Sequence, residues 1–213
     1  PVGLWRIIGR TPCEHDRDLI NMPQYAVIGY GSLIWDLDDL GPWVTGEWDL
    51  YSGPILPLEF SLISAKRKQA LALVIDHVDG QDCPTCVIRS RRDSLTLAIS
   101  DLAARERAAI SKIGYLDAQT GNQRSRSDTT LDAVRDWLEH SVFDGAVWTD
   151  GERNFETATG EPFSVPAAVA HLKKLEDESL SEAHRYIRMA PSRVDTPLRR
   201  ALEKQSWWQE QID

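Results

Sequence analysis

Two stretches hold residues whose types and spacing could do chemistry. The first is Val27-Ile28-Gly29-Tyr30-Gly31-Ser32-Leu33-Ile34-Trp35. The apolar run from Tyr25 to Ile28 has the pattern of a short buried strand, and it ends in two glycines that bracket a tyrosine. Glycine at such a point lets the backbone take φ > 0, or come close to something a Cβ would exclude. A loop of this kind can turn several N–H groups toward one point and hold a carboxylate or a carbonyl oxygen there. A tight turn leaving a core strand fits the same residues. Neither glycine-rich phosphate-loop frame fits them. The second stretch centres on Glu106. Leu95, Ile99, Leu102, Ile110 and Ile113 fall on one narrow face at ~100° per residue, and Glu106 falls on it too, while Asp101, Arg105 and Arg107 point elsewhere. A carboxylate on an apolar stripe is costly unless paired, hydrogen-bonded or protonated, and burial raises its pKa. Such a group can act as a general base near neutral pH. A Glu that bends out to solvent, or pairs with a buried Arg, fits the same position.

The loop Gly29–Trp35, followed about seventy residues later by Leu102-Ala103-Ala104-Arg105-Glu106, resembles the γ-glutamyl cyclotransferase superfamily, ChaC-type members included. The likeness covers roughly residues 26–115, about two-fifths of the chain. It implies an α+β fold, a curved mixed sheet or small β-barrel with flanking helices. It also implies that Tyr30, Gly31, Ser32 and Leu33 bind a γ-glutamyl group through backbone N–H groups and that Glu106 is the acid–base catalyst. The family often has a site-lining tyrosine about seven residues after that Glu. Tyr115, nine residues on, is the candidate here. No metal and no cofactor is implied. The arginine and aromatic segment of ChaC-type members is not recognisable after Trp43, which leaves γ-glutamyl peptides or amines other than glutathione open.

The implied reaction uses the substrate's own nucleophile. The α-amine of a γ-glutamyl amide attacks the γ-carbonyl, closes a five-membered ring and releases 5-oxoproline and the amine. A protein must fold the flexible chain back on itself, take a proton from the α-ammonium and give one to the leaving nitrogen. Loop N–H groups would fix the α-carboxylate or the developing oxyanion. A function of another class is a small-molecule-binding or interaction module on the same fold. Glu106 discriminates, since a binding module has no need of a carboxylate on that face.

The elements that must position these residues follow from pattern and turn chemistry. The spacing predicts strands over Leu56–Ile63, Ala70–Asp76 and Thr85–Arg89, with Val78-Asp79-Gly80 turning the last two. Ser64–Gln69 is a basic loop between the first two, and Trp35–Gly53 is a turn-rich, aromatic loop. Asp93 or Ser94 caps the Glu106 helix. Gly121–Thr129 is polar loop. Leu131–His140 is an amphipathic helix with Leu131, Val134 and Leu138 inward, and Ala146–Thr149 is a returning strand. Ser164 and Pro166 open a helix with Ala168, Leu172 and Leu175 inward. Glu182–Met189 is helical, and Thr196-Pro197 starts a last helix. Strands early and helices late indicate α+β. The chain is expected to be one domain, residues 1–213, with residues 1–24 as an arm and 116–213 as a helix-rich extension.

Composition excludes some classes. A formal charge of −9 without a basic stripe argues against a nucleic-acid partner. No apolar run approaches the about 20 residues of a membrane span, and the first twenty residues are too charged for a signal peptide. A cytoplasmic protein acting on a small γ-glutamyl molecule is the expectation. Cys13, Cys83 and Cys86 make no disulfide framework. Cys83-Pro84-Thr85-Cys86 is turn-like rather than at a strand-to-helix junction, so it reads weakly as a redox pair. The five histidines show no metal-ligand spacing.

Overall fold

Tyr25–Gly29 forms β1, buried at every residue, as a continuous apolar run buried on both faces should be. The computed structural model describes residues 22–210. The arm expected over residues 1–24 therefore lies outside the described residues except for 22–24, and so does Cys13. The other strands are β2 (Val44–Asp49), β3 (Ile55–Ser64), β4 (Ala70–Ile75), β5 (Gln81–Pro84), β6 (Cys86–Ser90), β7 (Ile113–Asp117), β8 (Gln123–Arg124) and β9 (Gly145–Thr149). The helices are α1 (Leu95–Glu106), α2 (Asp128–Leu138), α3 (Phe155–Thr159), α4 (Val165–Lys173), α5 (Asp177–Met189), α6 (Pro197–Leu202) and α7 (Ser206–Gln209).

The strands make a six-stranded sheet in the order β2-β6-β1-β9-β7-β8 and a three-stranded sheet in the order β4-β3-β5. β1 pairs antiparallel with β6 and parallel with β9, setting Ile28 opposite both Val87 and Trp148. The fold is thus α+β with a mixed sheet. Both sheets are open, so the barrel alternative is corrected: β2 and β8 are free edges of one, β4 and β5 of the other. Successive β1 side chains serve opposite layers, as the strand period of two requires. Tyr25 and Val27 pack with Leu95, Ile99 and Leu102 of α1. Ala26 and Ile28 pack with the small sheet and the C-terminal helices, through Leu58, Phe60, Leu71 and Ala183.

Several local expectations meet the structure directly. Ser164 Oγ accepts from Ala167 N–H at 3.2 Å, and Thr196 Oγ1 accepts from Arg199 N–H at 3.2 Å. Thr130, Leu131, Val134 and Leu138 form the buried face of α2. Three differences have physical causes. The stretch read as a loop before Gly53 contains β2, which pairs with β6 only through a shifted register, so its hydrophobic alternation is broken. The turn at Val78–Gly80 leads into β5, which pairs with β3, whereas β6 belongs to the other sheet. Cys83 and Cys86 therefore sit on strands of different sheets, and burial pushes both thiols up. Finally, α1 stops at Glu106 because Arg107 takes the left-handed conformation, φ 50°. Ile110 is exposed and Ile113 lies on β7, so the apolar spacing past Glu106 is not helical.

Candidate active site

The loop after β1 folds into a tight 3-10 turn at Ser32–Ile34, closed by Ile34 N–H to the Gly31 carbonyl at 3.1 Å. Neither bracketing glycine is there for a positive φ; Gly31 has φ −128°. Close approach explains both. A Cβ on Gly29 would stand 2.6 Å from Trp48 Cη2 of β2, and a Cβ on Gly31 would stand 2.8 Å from the Tyr186 hydroxyl of α5. The turn is thus pressed between an edge strand and a C-terminal helix. Tyr30 is buried, and its hydroxyl donates to the Thr149 carbonyl at 2.7 Å, fastening the loop to the end of β9. Burial, then the nearby Glu106 and Asp150 carboxylates, raises the Tyr30 phenol well above its ordinary value, so it remains a donor at neutral pH.

Glu106 ends α1 beside this loop. Its carboxylate is 22 % exposed and takes a 2.8 Å bond from Arg105 Nη1. Arg105, expected to point away from the apolar face, is itself buried. Its Nη2 also reaches the Asp36 carbonyl at 2.5 Å and Ser32 Oγ at 3.3 Å, and its Nε reaches the Asp36 carbonyl at 3.2 Å. The carboxylate is therefore met by a charge partner, not left on an apolar stripe. The backbone carbonyl of Glu106, one of those left open at a helix C-terminus, accepts from Lys66 Nζ. The basic stretch after β3 is a hairpin end with Ala65, Lys66, Lys68 and Gln69 exposed, and its Ser64–Arg67 part also borders the site.

Ile28 to Leu33, Leu73, Glu106, Thr149 and Tyr186 enclose a recess of about 50 Å³. It adjoins a cleft of about 530 Å³ that shares Ser32, Leu73, Glu106, Thr149 and Tyr186, and whose wider rim carries Lys66, Arg67, Arg107 and Lys112. The structure brings together Glu106, Tyr30, Gly31, Ser32 and Leu33. It does not bring Tyr115 to them: Tyr115 lies mid-strand on β7 and packs in the layer beneath α1. A separate surface cleft of about 470 Å³, between Met22–Gln24 and Arg89–Asp93, shares none of these residues. Among the described residues no cluster of three or more His, Cys, Asp or Glu side chains could hold a metal ion, and no helix is long and apolar enough to cross a membrane.

Two site residues escape sequence reasoning. Arg105 was hidden because it lies off the Leu95–Ile99–Leu102 stripe, at the edge of the buried face of α1 and in line with Ala98. Tyr186, eighty positions after Glu106, carries no local signal and reaches the loop through the packing of α5 on β4. Searches against protein-family models, curated proteins and solved structures find no match to this chain.

Proposed function

We propose that this protein is a γ-glutamyl cyclotransferase-like enzyme that cyclises a γ-glutamyl amide or peptide to 5-oxoproline and releases the amine. The observation that supports the reading is the meeting of two distant segments: the Glu106 carboxylate and the Tyr30–Leu33 turn line the same small recess. The recess is an end, and the cleft beyond it has room for a leaving group. A γ-glutamyl group seated with its chain folded back would place its α-ammonium toward Glu106. Glu106 takes the proton, the amine nitrogen bonds to the γ-carbon, and the same carboxyl then protonates the leaving nitrogen as its bond to carbon breaks. Arg105 holds Glu106 in one rotamer for both transfers. In this reading the Tyr30–Leu33 backbone supplies the amide donors for the substrate's carboxylate or carbonyl oxygen.

The test is release of 5-oxoproline from a panel of γ-glutamyl amino acids, peptides and amines. Glu106→Gln keeps the shape of the side chain but cannot accept the proton, so turnover of the folded variant should fall by about 10²–10⁴, with some loss of thermal stability because buried Arg105 loses its charge partner. Near-parental turnover in folded Glu106→Gln would remove Glu106 as the proton carrier. A parent protein that bound panel members without turning any over would instead be a binding module.

A further inference from the structure

We propose that the Tyr186 hydroxyl is a catalytic hydrogen-bond donor, aimed at the oxygen of the carbonyl that is attacked in the recess. This rests on the cyclotransferase reading for the identity of that carbonyl, though not for the existence of the donor. Tyr186 comes from α5, far from both motifs, yet it lines the recess and the cleft together. It is only 4 % exposed. Its oxygen accepts the Leu73 N–H at 3.4 Å and is approached by the Ser32 N–H as well, and among the described residues no acceptor takes its own proton. A buried O–H that accepts but does not donate leaves a hydrogen bond unmade. Tyr30 is the contrast: it is equally buried but its proton is committed to the Thr149 carbonyl.

The ring that carries this hydroxyl is fixed from three sides. Trp35 meets it edge-on at 5.6 Å, Phe60 at 6.3 Å, and the Arg67 guanidinium lies 4.5 Å over it. Arg67 is held in turn by Glu182 of the same helix at 2.7 Å. The backbone of Gly31 approaches so closely that one methyl group there would strike the hydroxyl. A donor held this firmly needs no reorganisation when charge develops, which is what gives such a group its catalytic effect. Burial raises the Tyr186 phenol, against the opposing pull of Arg67 and the Leu73 N–H, so the group stays protonated through neutral pH. In the reaction, the α-amine nitrogen bonds to the γ-carbon and the carbonyl π pair moves to oxygen. Tyr186 hydrogen-bonds that oxygen and keeps its proton. The pair returns as the leaving nitrogen departs with the proton carried by Glu106.

The decisive probe is 5-oxoproline labelled with carbon-13 at the lactam carbonyl, the atom that was the γ-carbonyl whatever the leaving group. On binding to the parent protein its carbonyl infrared band should move to lower frequency than in water. In Tyr186→Phe that shift should be lost, and kcat for 5-oxoproline release should fall by about 10²-fold with KM within about threefold. Incorporation of 3-fluorotyrosine at position 186 keeps the shape and strengthens the donor, so it should enlarge the shift even if Tyr186→Phe folds poorly. An unchanged shift in Tyr186→Phe, or no binding of 5-oxoproline to the parent, overturns the proposal. If the parent releases 5-oxoproline and Tyr186→Phe does so as fast, the donor role falls while the cyclotransferase reading stands. If the parent forms none, yet the shift appears and depends on Tyr186, that reading falls while the hydroxyl contact stands.

Discussion

Arg105 binds the Glu106 carboxylate at 2.8 Å while the same guanidinium reaches Ser32 and the Asp36 carbonyl. One buried cation thus ties the end of α1 to the turn after β1. Truncating it leaves a partly buried carboxylate without its partner and a loop carbonyl without its donor. Arg105→Met should cost about 2–4 kcal/mol of stability, somewhat below a fully buried pair because Glu106 keeps some water contact. Arg105→Lys should recover part of the loss but not the forked geometry. Urea unfolding of both variants checks the size and the order.

Asp76 is the anchor of the opposite layer. Burial alone would raise its carboxyl, but the Ser61 hydroxyl at 2.6 Å, the N–H groups of Asp79 and Val78, and Arg153 outweigh it and hold the group below the ordinary carboxylate range. A depressed carboxyl contributes stability that is present above the unfolded pKa and is lost as pH falls through the folded value. Asp76→Asn should lower stability at pH 7 by about 2–4 kcal/mol, since Arg153 loses a charge partner and Ser61 an acceptor. The deficit should shrink in acid. Thermal melts from pH 7 to pH 3 measure both parts.

Local chemistry was legible in the sequence and long-range convergence was not. The caps at Ser164 and Thr196 need only neighbouring residues, and the apolar runs of β3 and β4 can each be read within one strand. The turn and Glu106 could be paired because their resemblance to a known pair spans both. By contrast, β2 is an edge strand with a register shift, so it offers no clean period. Tyr115, two residues beyond the usual spacing, also lies on another face: its strand packs it with the α1 layer while the recess lies at the end of β1. Tyr186 stands in the site because α5 packs on β4, a relationship no spacing along the chain records.

His184 lies against Trp208, with ring centres 4.9 Å apart, and shares a cavity of about 200 Å³ with Arg188, Arg199 and Glu203. Burial, then the Arg188 charge, lowers its imidazole below the ordinary value of 6.5. The folded protein therefore holds His184 neutral where the unfolded chain would protonate it. Its contribution is present above the unfolded pKa and is lost as pH falls from there through the folded value. Tm should drop as pH is lowered below about 6.5. His184→Phe, which cannot take a proton, should flatten that part of the profile. Equal slopes for the two proteins between pH 7.5 and pH 5 would show that His184 is not the group responsible.

The contact between Gly31 and Tyr186 can be read as a coupling energy. A Cβ at Gly31 would meet the Tyr186 hydroxyl at 2.8 Å and nothing else closer than 3.8 Å. The ring cannot retreat, being held by Trp35, Phe60 and Arg67. Gly31→Ala should therefore cost about 1–3 kcal/mol through overpacking. Tyr186→Phe removes the atom that is struck but leaves the Leu73 N–H without an acceptor, a loss of about 1–2 kcal/mol. In the double variant the methyl group occupies the space the hydroxyl vacated. The two effects should then fall short of additivity by about 1 kcal/mol or more, the signature of residues in direct contact. Urea unfolding of the parent, both single variants and the double variant closes the cycle. Strict additivity would mean that the turn moves away from α5 when the methyl group is added, and that the close approach does not constrain the loop.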